Sequence, residues 1–79
     1  MEINTVEMEM LRKITDNQYT GGTYKRATRI DQICRTAADR TVLEAVCRKG
    51  LAETGWGATI AGDRYDGCWL TAAGKAAVA

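Results

Sequence analysis

The chain has 79 residues, of which 46% are hydrophobic and 27% are charged, and its eleven Lys and Arg against ten Asp and Glu give a net charge of +1. These values predict one globular domain over residues 1–79 and exclude both a disordered chain and a membrane partner, because no apolar run approaches membrane length. Histidine is absent and the three cysteines are widely spaced, so neither a metal nor a cofactor is expected. The thiols are predicted to be buried and free, which together with the lack of a signal pattern indicates a cytoplasmic protein.

A first helix is predicted from Asn4 to Asp16. Asn4 is a favourable N-cap residue, and Glu7 three positions later completes the capping-box pattern. The apolar stripe that this helix should bury consists of Val6, Met10, Leu11 and Ile14. The turn-forming residues and the glycine pair that follow predict a loop over residues 18–27, which carries Lys25 and Arg26.

The stretch from Thr28 to Leu51 has the pattern of a helix-turn-helix, with two short helices joined by a tight turn. Each helix opens with a Thr-x-x-Asp capping pair, at Thr28 and at Thr36. Gly50 after two cations is typical of a helix end. The apolar positions have helical spacing and should join one core, and they are Ile30, Ile33, Cys34, Leu43, Val46 and Cys47.

After Gly50 the pattern becomes strand-like, and residues 54–69 are predicted to form a β-hairpin. Two turns compete, at Gly62-Asp63 and at Asp66-Gly67, and we favour the first because the second would leave glycine and aspartate inside a strand. The first turn would place Trp56 opposite Trp69, with both indoles on one face outside the main core. It would also place Ile60 opposite Tyr65. Leu51 and Leu70 are expected in the core, and Thr71 should cap a last short helix that Gly74 weakens.

Two motifs in this order of elements resemble winged helix-turn-helix DNA-binding domains: RKGL at 48–51 and WLTAAGKAA at 69–77. In many members of that family a recognition helix ends in a KGL turn and the second wing strand closes with LTxxG. The resemblance implies an α+β fold with a three-helix bundle, a two-stranded β-hairpin wing and a short C-terminal helix. It also implies that helix 39–49 enters the major groove and that the wing, 54–69, contacts the DNA backbone or minor groove. The wing is long for the family, and a domain of this size is similar to small stand-alone regulators of phages and plasmids.

Positive charge is concentrated in residues 24–50, where seven cations against three carboxylates give +4. This segment can be a DNA-binding surface or a basic face that is only solvated. On a DNA-binding surface, Arg40, Thr41 and Glu44 would meet the bases, because arginine can bind guanine and glutamate can accept from cytosine. The other DNA-binding candidates are Lys25, Arg26, Arg29, Arg48 and Arg64. On a solvated face, Arg40, Glu44 and Arg48 would form an i, i+4 ladder.

Two classes of function stay open. The first is sequence-specific binding of duplex DNA by a small transcriptional regulator, which would act as a homodimer on a two-fold site because a single domain has few cations. The second is a protein-interaction module, such as a phage-type inhibitor or an assembly subunit, that binds its partner through Trp56, Tyr65 and Trp69 of the wing. An enzyme is not expected, because the chain lacks histidine and shows no paired carboxylates or activated thiol.

Overall fold

A computed structural model describes residues 2–17, 27–59 and 61–79. Its elements are α1 (Thr5–Asp16), β1 (Thr28–Arg29), α2 (Ile30–Ile33), α3 (Ala37–Arg48), β2 (Ala52–Ala58), β3 (Arg64–Leu70) and α4 (Ala72–Val78). The strands form one antiparallel sheet in the order β1-β3-β2. The described residues therefore form a small α+β domain, which is compatible with a winged helix. The predicted loop, apart from its last residue, lies outside them, as do Lys25 and Arg26.

α1 begins at the predicted capping box. The Glu7 amide donates to Oδ1 of Asn4 at 2.8 Å, and the Asn4 amide donates to Oε1 of Glu7 at 3.0 Å. These two bonds satisfy amides that have no partner inside the helix. The predicted burial of Val6 is wrong, since this side chain is 56% exposed and Glu7 is buried instead. Glu7 completes an i, i+3, i+4, i+7 stripe with the buried residues Met10, Leu11 and Ile14.

The predicted cap at Thr28 is also wrong, because this residue lies in β1. Its backbone pairs with Cys68 of β3, and its buried hydroxyl donates to the Ile14 carbonyl at 2.5 Å. Thr28 therefore pairs in a strand, although the local sequence pattern predicts that it caps a helix. α2 begins one residue later, after Arg29, which makes no side-chain capping bond. It has only four residues, and its apolar positions Ile30 and Ile33 are buried as predicted.

α3 spans Ala37–Arg48, so it starts two residues before the predicted range. The capping box predicted at Thr36 is confirmed: its hydroxyl accepts from the Asp39 amide at 3.1 Å, and the Asp39 carboxylate accepts from the Thr36 amide at 3.2 Å. At the other end Gly50 has φ 75°, and the Leu51 amide donates to the Val46 carbonyl at 3.0 Å. This is a glycine-terminated helix end, as the sequence predicts.

The last pair of residues in the β2–β3 hairpin is Ala58 and Arg64, and the Gly62-Asp63 pair lies between them in the chain. The Thr59 amide donates to the Asp63 carbonyl at 2.9 Å, and the Gly62 amide donates to the Thr59 carbonyl at 2.9 Å. Gly62 has φ 89°, a left-handed conformation that favours glycine. The competing Asp66-Gly67 pair lies inside β3. The predicted two-residue turn at Gly62-Asp63 is wrong, because Arg64 pairs with Ala58 and not with residue 61.

The register of the hairpin differs from the predicted one. Trp56 lies opposite Asp66, not opposite Trp69. Because side chains alternate along a strand, this register puts the two indoles on opposite faces of the sheet. The prediction of a shared aromatic face is therefore wrong. Ile60, which was predicted to face Tyr65, lies outside the described residues.

The two motifs that carry the family resemblance contact each other. The Thr71 hydroxyl donates to the Gly50 carbonyl at 2.6 Å, and the Thr71 amide donates to the Leu51 carbonyl at 3.1 Å. Thr71 also caps α4 by accepting from the Gly74 amide. A Cβ at Gly74 would overlap the Leu51 carbonyl oxygen, so this glycine permits the close approach of α4 to the end of α3.

The core lies between the helices and the sheet face that carries Ala52, Cys68 and Leu70. The predicted core residues are buried there, except Val6, which is exposed, and Cys47, which is half-buried and packs against the core. The largest fully buried side chains are Leu11, Ile14, Val46, Thr28 and Cys68.

Candidate nucleic-acid interface

The outer face of α3 carries the predicted DNA-reading residues. Arg40, Thr41, Glu44 and Arg48 are exposed, whereas Leu43 and Val46 of the same helix are buried. A groove of about 490 Å³ runs between α3 and β2. It is lined by Arg40, Leu43, Glu44, Cys47, Arg48 and Thr54. Thr41 does not line this groove, and its hydroxyl donates to the Ala37 carbonyl at 3.1 Å. Arg40, Glu44 and Arg48 are therefore the better placed candidates.

A second groove, of about 190 Å³, joins α2, the start of α3 and β3. Its lining residues are Arg29, Ile30, Asp31, Arg40, Arg64, Tyr65 and Asp66. The fold thus brings together Arg29, Arg40 and Arg64, which come from three different elements. Arg40 lines both grooves, so the two lie next to each other along α3. Lys25 and Arg26, the two other predicted phosphate contacts ahead of Arg29, lie outside the described residues.

Two of the arginines that line the smaller groove are paired with aromatic side chains. The guanidinium carbon of Arg64 lies 4.5 Å from the ring centroid of Trp56, and that of Arg29 lies 4.9 Å from the ring centroid of Tyr65. The Tyr65 hydroxyl donates to the Ala27 carbonyl at 2.6 Å, which fixes its ring under Arg29. The sequence assigned these cations to DNA and these aromatics to a protein partner. The structure instead couples the two sets through cation–π contacts.

Trp69 is separated from Trp56 and covers backbone. Its ring lies over Gly55, where a Cβ would come within 2.6 Å of the indole, and its Nε1 donates to Oε1 of Glu53 at 3.0 Å. Tyr65 covers Gly57 in the same way. Glycine at these positions makes room for the aromatic rings of the neighbouring strand. Trp69 is only partly exposed, so Trp56, at 50% exposure, is the better candidate for contact with a partner.

Two residues near the arginines were missed by the sequence reasoning. Asp31 accepts from Nε of Arg29 at 3.4 Å, and Asp66 lines the smaller groove. Asp66 follows Arg64 by two positions, a strand spacing that places both on one face of the sheet. The spacing of Arg64 and Asp66 is visible in the sequence, but only the hairpin register shows which face of the sheet they share. No pattern of neighbouring residues in the sequence predicts that Arg29 and Arg40 line the same groove.

The three cysteines are free thiols. Cys34 and Cys68 are buried and Cys47 is half-buried. Burial is the main cause that raises the pKa of all three thiols, and it raises the pKa of Cys68 to about 12. They are therefore neutral near pH 7, and a neutral thiol is a poor nucleophile. Across residues 2–17, 27–59 and 61–79, no group of three or more His, Cys, Asp or Glu could hold a metal ion, and no helix is long and apolar enough to cross a membrane.

Comparisons of the chain with known protein families, curated proteins and solved structures found no match. The assignment of function therefore rests on the geometry of the α3 and hairpin surface.

Proposed function

We propose that this domain is a winged helix-turn-helix that binds duplex DNA as a small transcriptional regulator. α3 would enter the major groove and the β2–β3 hairpin would lie on the backbone. The observation that carries the proposal is the grouping of Arg29, Arg40 and Arg64 around one groove. Guanidinium groups bind phosphate through two parallel hydrogen bonds, and a set of them on one surface attracts the DNA backbone. No catalytic step is part of this function.

Sequence reading would fall to Arg40 and Glu44. Both are exposed on α3 and line the larger groove, with Arg48 one turn further along the helix. A helix in the major groove brings such side chains to the base edges, where arginine pairs with guanine and glutamate accepts from cytosine. The acidic side chain lowers general attraction to phosphate, which would favour selected sites over random DNA.

The alternative function is a protein-interaction module, and one observation favours it. Trp56 is 50% exposed, and the guanidinium carbon of Arg64 lies 4.5 Å from its ring centroid. Tryptophan and arginine are the residues that most often dominate the binding energy of protein interfaces. The net charge of +1 is also small for a DNA-binding protein. Under this alternative, Trp56→Ala would abolish partner binding, while duplex binding would be absent.

The test compares Arg40→Ala with Arg12→Ala. Arg12 is exposed on α1 and lines neither groove, so the control removes the same charge from another surface. A preferred site would first be selected from a randomised duplex pool, and binding would be measured by fluorescence anisotropy. Arg40→Ala should weaken binding to that site by about 1–3 kcal/mol and relax its specificity. Arg12→Ala should change little. If the wild-type protein shows no salt-dependent binding to any duplex at low ionic strength, the DNA-binding proposal is refuted.

A further inference from the structure

We propose that the groove between α2, α3 and β3 is a binding site for one phosphodiester of the DNA backbone, and that Asp31 and Asp66 act there as competitors of the phosphate. The inference rests on the DNA-binding function proposed above and assigns a subsite within it. The carboxylates would weaken binding to every duplex and so restrain the domain from unselective association with DNA.

The size and charge of the groove fit a small anion. Its volume of about 190 Å³ is below the roughly 300–1,000 Å³ of sites for drug-sized ligands. Three arginines and two aspartates line it, which leaves one positive charge. Among the described residues, Arg29 is the only one of these arginines with a carboxylate oxygen within 4.0 Å. Arg40 and Arg64 therefore contribute positive potential that no neighbouring carboxylate neutralises by a direct ion pair.

The arginines are held in a manner that suits phosphate. The guanidinium carbons of Arg29 and Arg64 each lie over an aromatic ring, at 4.9 and 4.5 Å from its centroid. A guanidinium that lies flat on a ring keeps the N–H groups at its edge available for hydrogen bonds in the plane. Contact with the ring also restricts the side chain before the ligand arrives, which lowers the entropy lost on binding. Both arginines line the groove that the phosphate would fill.

Asp31 holds Arg29 by a contact that a phosphate can replace. Nε of Arg29 and Oδ1 of Asp31 are 3.4 Å apart, and the two side chains are 41% and 69% exposed. An ion pair with this exposure and length is weak because water screens it. Asp66 adds a second negative charge to the same groove. Any phosphate bound there must overcome repulsion from both carboxylates.

The test removes each carboxylate charge with little change of shape. Asp31→Asn and Asp66→Asn should each tighten binding to random duplex about two- to fivefold at low salt, because one repulsive charge near the phosphate is lost. The matched control is Asp16→Asn, which changes the net charge equally on an exposed residue that does not line the groove. It should leave the affinity nearly unchanged. Thermal melts of the three variants verify that each is folded.

A second measurement separates the subsite from the function. The Nε–H signals of Arg29, Arg40 and Arg64 would be followed by NMR while inorganic pyrophosphate is added, with Arg12 as the internal control. Selective shifts of the three groove arginines, lost in Arg64→Gln, support the subsite. If the protein binds duplex while both Asn variants match Asp16→Asn, the subsite is refuted and the DNA-binding function stands. If pyrophosphate shifts the signals but no duplex binds, the anion site stands and the DNA-binding function is refuted.

Discussion

Glu7 is an acidic side chain that is buried, and it forms an ion pair with Lys49. The carboxylate accepts from Nζ of Lys49 at 2.6 Å, and Lys49 also donates to the Glu2 carbonyl at 2.8 Å. Lys49 directly follows α3, so the pair ties the start of α1 to the end of the proposed recognition helix. The hydrogen bond from Lys49 is the main cause that lowers the pKa of Glu7, and the bond from the Asn4 amide adds to it.

This pair should make stability depend on pH, and Glu7→Gln tests it. A carboxyl group whose pKa is lowered in the folded state stabilises the fold above its unfolded pKa, and that contribution is lost as the pH falls through the folded value. Glu7→Gln should therefore lower the melting temperature at pH 7. The difference in melting temperature between Glu7→Gln and wild type should shrink as the pH falls below 4.5, the ordinary pKa of a glutamate. Circular dichroism melts over the acid range measure this.

The control for this prediction is Glu9→Gln, an exposed position on the same helix. It should leave the melting temperature nearly unchanged at neutral pH. If Glu7→Gln lowered the melting temperature by the same amount at every pH down to about 2, the carboxylate would act through packing and not through its charge.

At the level of the elements, the sequence predicts what is encoded locally. The caps at Asn4, Thr36 and Gly50 involve residues a few positions apart, and they occur as predicted. The sequence pattern does not predict features that depend on pairing between strands far apart in the chain. Thr28 fits a helix cap by its local pattern, but pairing with β3 places it in a strand. The position of Trp56 likewise depends on the loop length of the hairpin, and an odd change in register moves the side chain to the other face.

Gly74→Ala tests how closely α4 packs, because alanine favours the helix but has no room in the folded protein. In α4 alone, Gly74→Ala should stabilise the helix by up to about 1 kcal/mol. In the folded protein the added Cβ would overlap the Leu51 carbonyl oxygen, and overpacking of this kind typically costs about 1–3 kcal/mol. The net result should be a destabilised protein in urea unfolding. The control is Ala73→Gly at the neighbouring exposed position, which reports helix preference without a clash. A Gly74→Ala protein more stable than wild type would contradict the close approach of α4.

For the whole molecule, the sequence supplied the candidate cations and the fold decides which of them act together. Arg29, Arg40 and Arg64 were each predicted to bind DNA, and their common groove follows only from the packing of α2 and α3 against the hairpin. Lys49 lies next to Arg48 in sequence but binds Glu7. A count of cations along the chain therefore overstates the charge that this surface offers. The surface that remains is basic but small.

That small surface sets an upper limit on the salt dependence of a single domain. Arg29, Arg40, Arg48 and Arg64 line the two grooves. If each neutralises one phosphate, the slope of log K against log salt should be about −4, and about −5 if Lys25 and Arg26 also contribute. A dimer on a two-fold site would double the contacts and give about −7 or steeper. Anisotropy titrations between about 50 and 200 mM salt give the slope, and analytical ultracentrifugation gives the number of chains per duplex. A slope near −7 with one chain bound would show that phosphate contacts extend beyond these grooves, whereas two chains bound with that slope would establish the dimer.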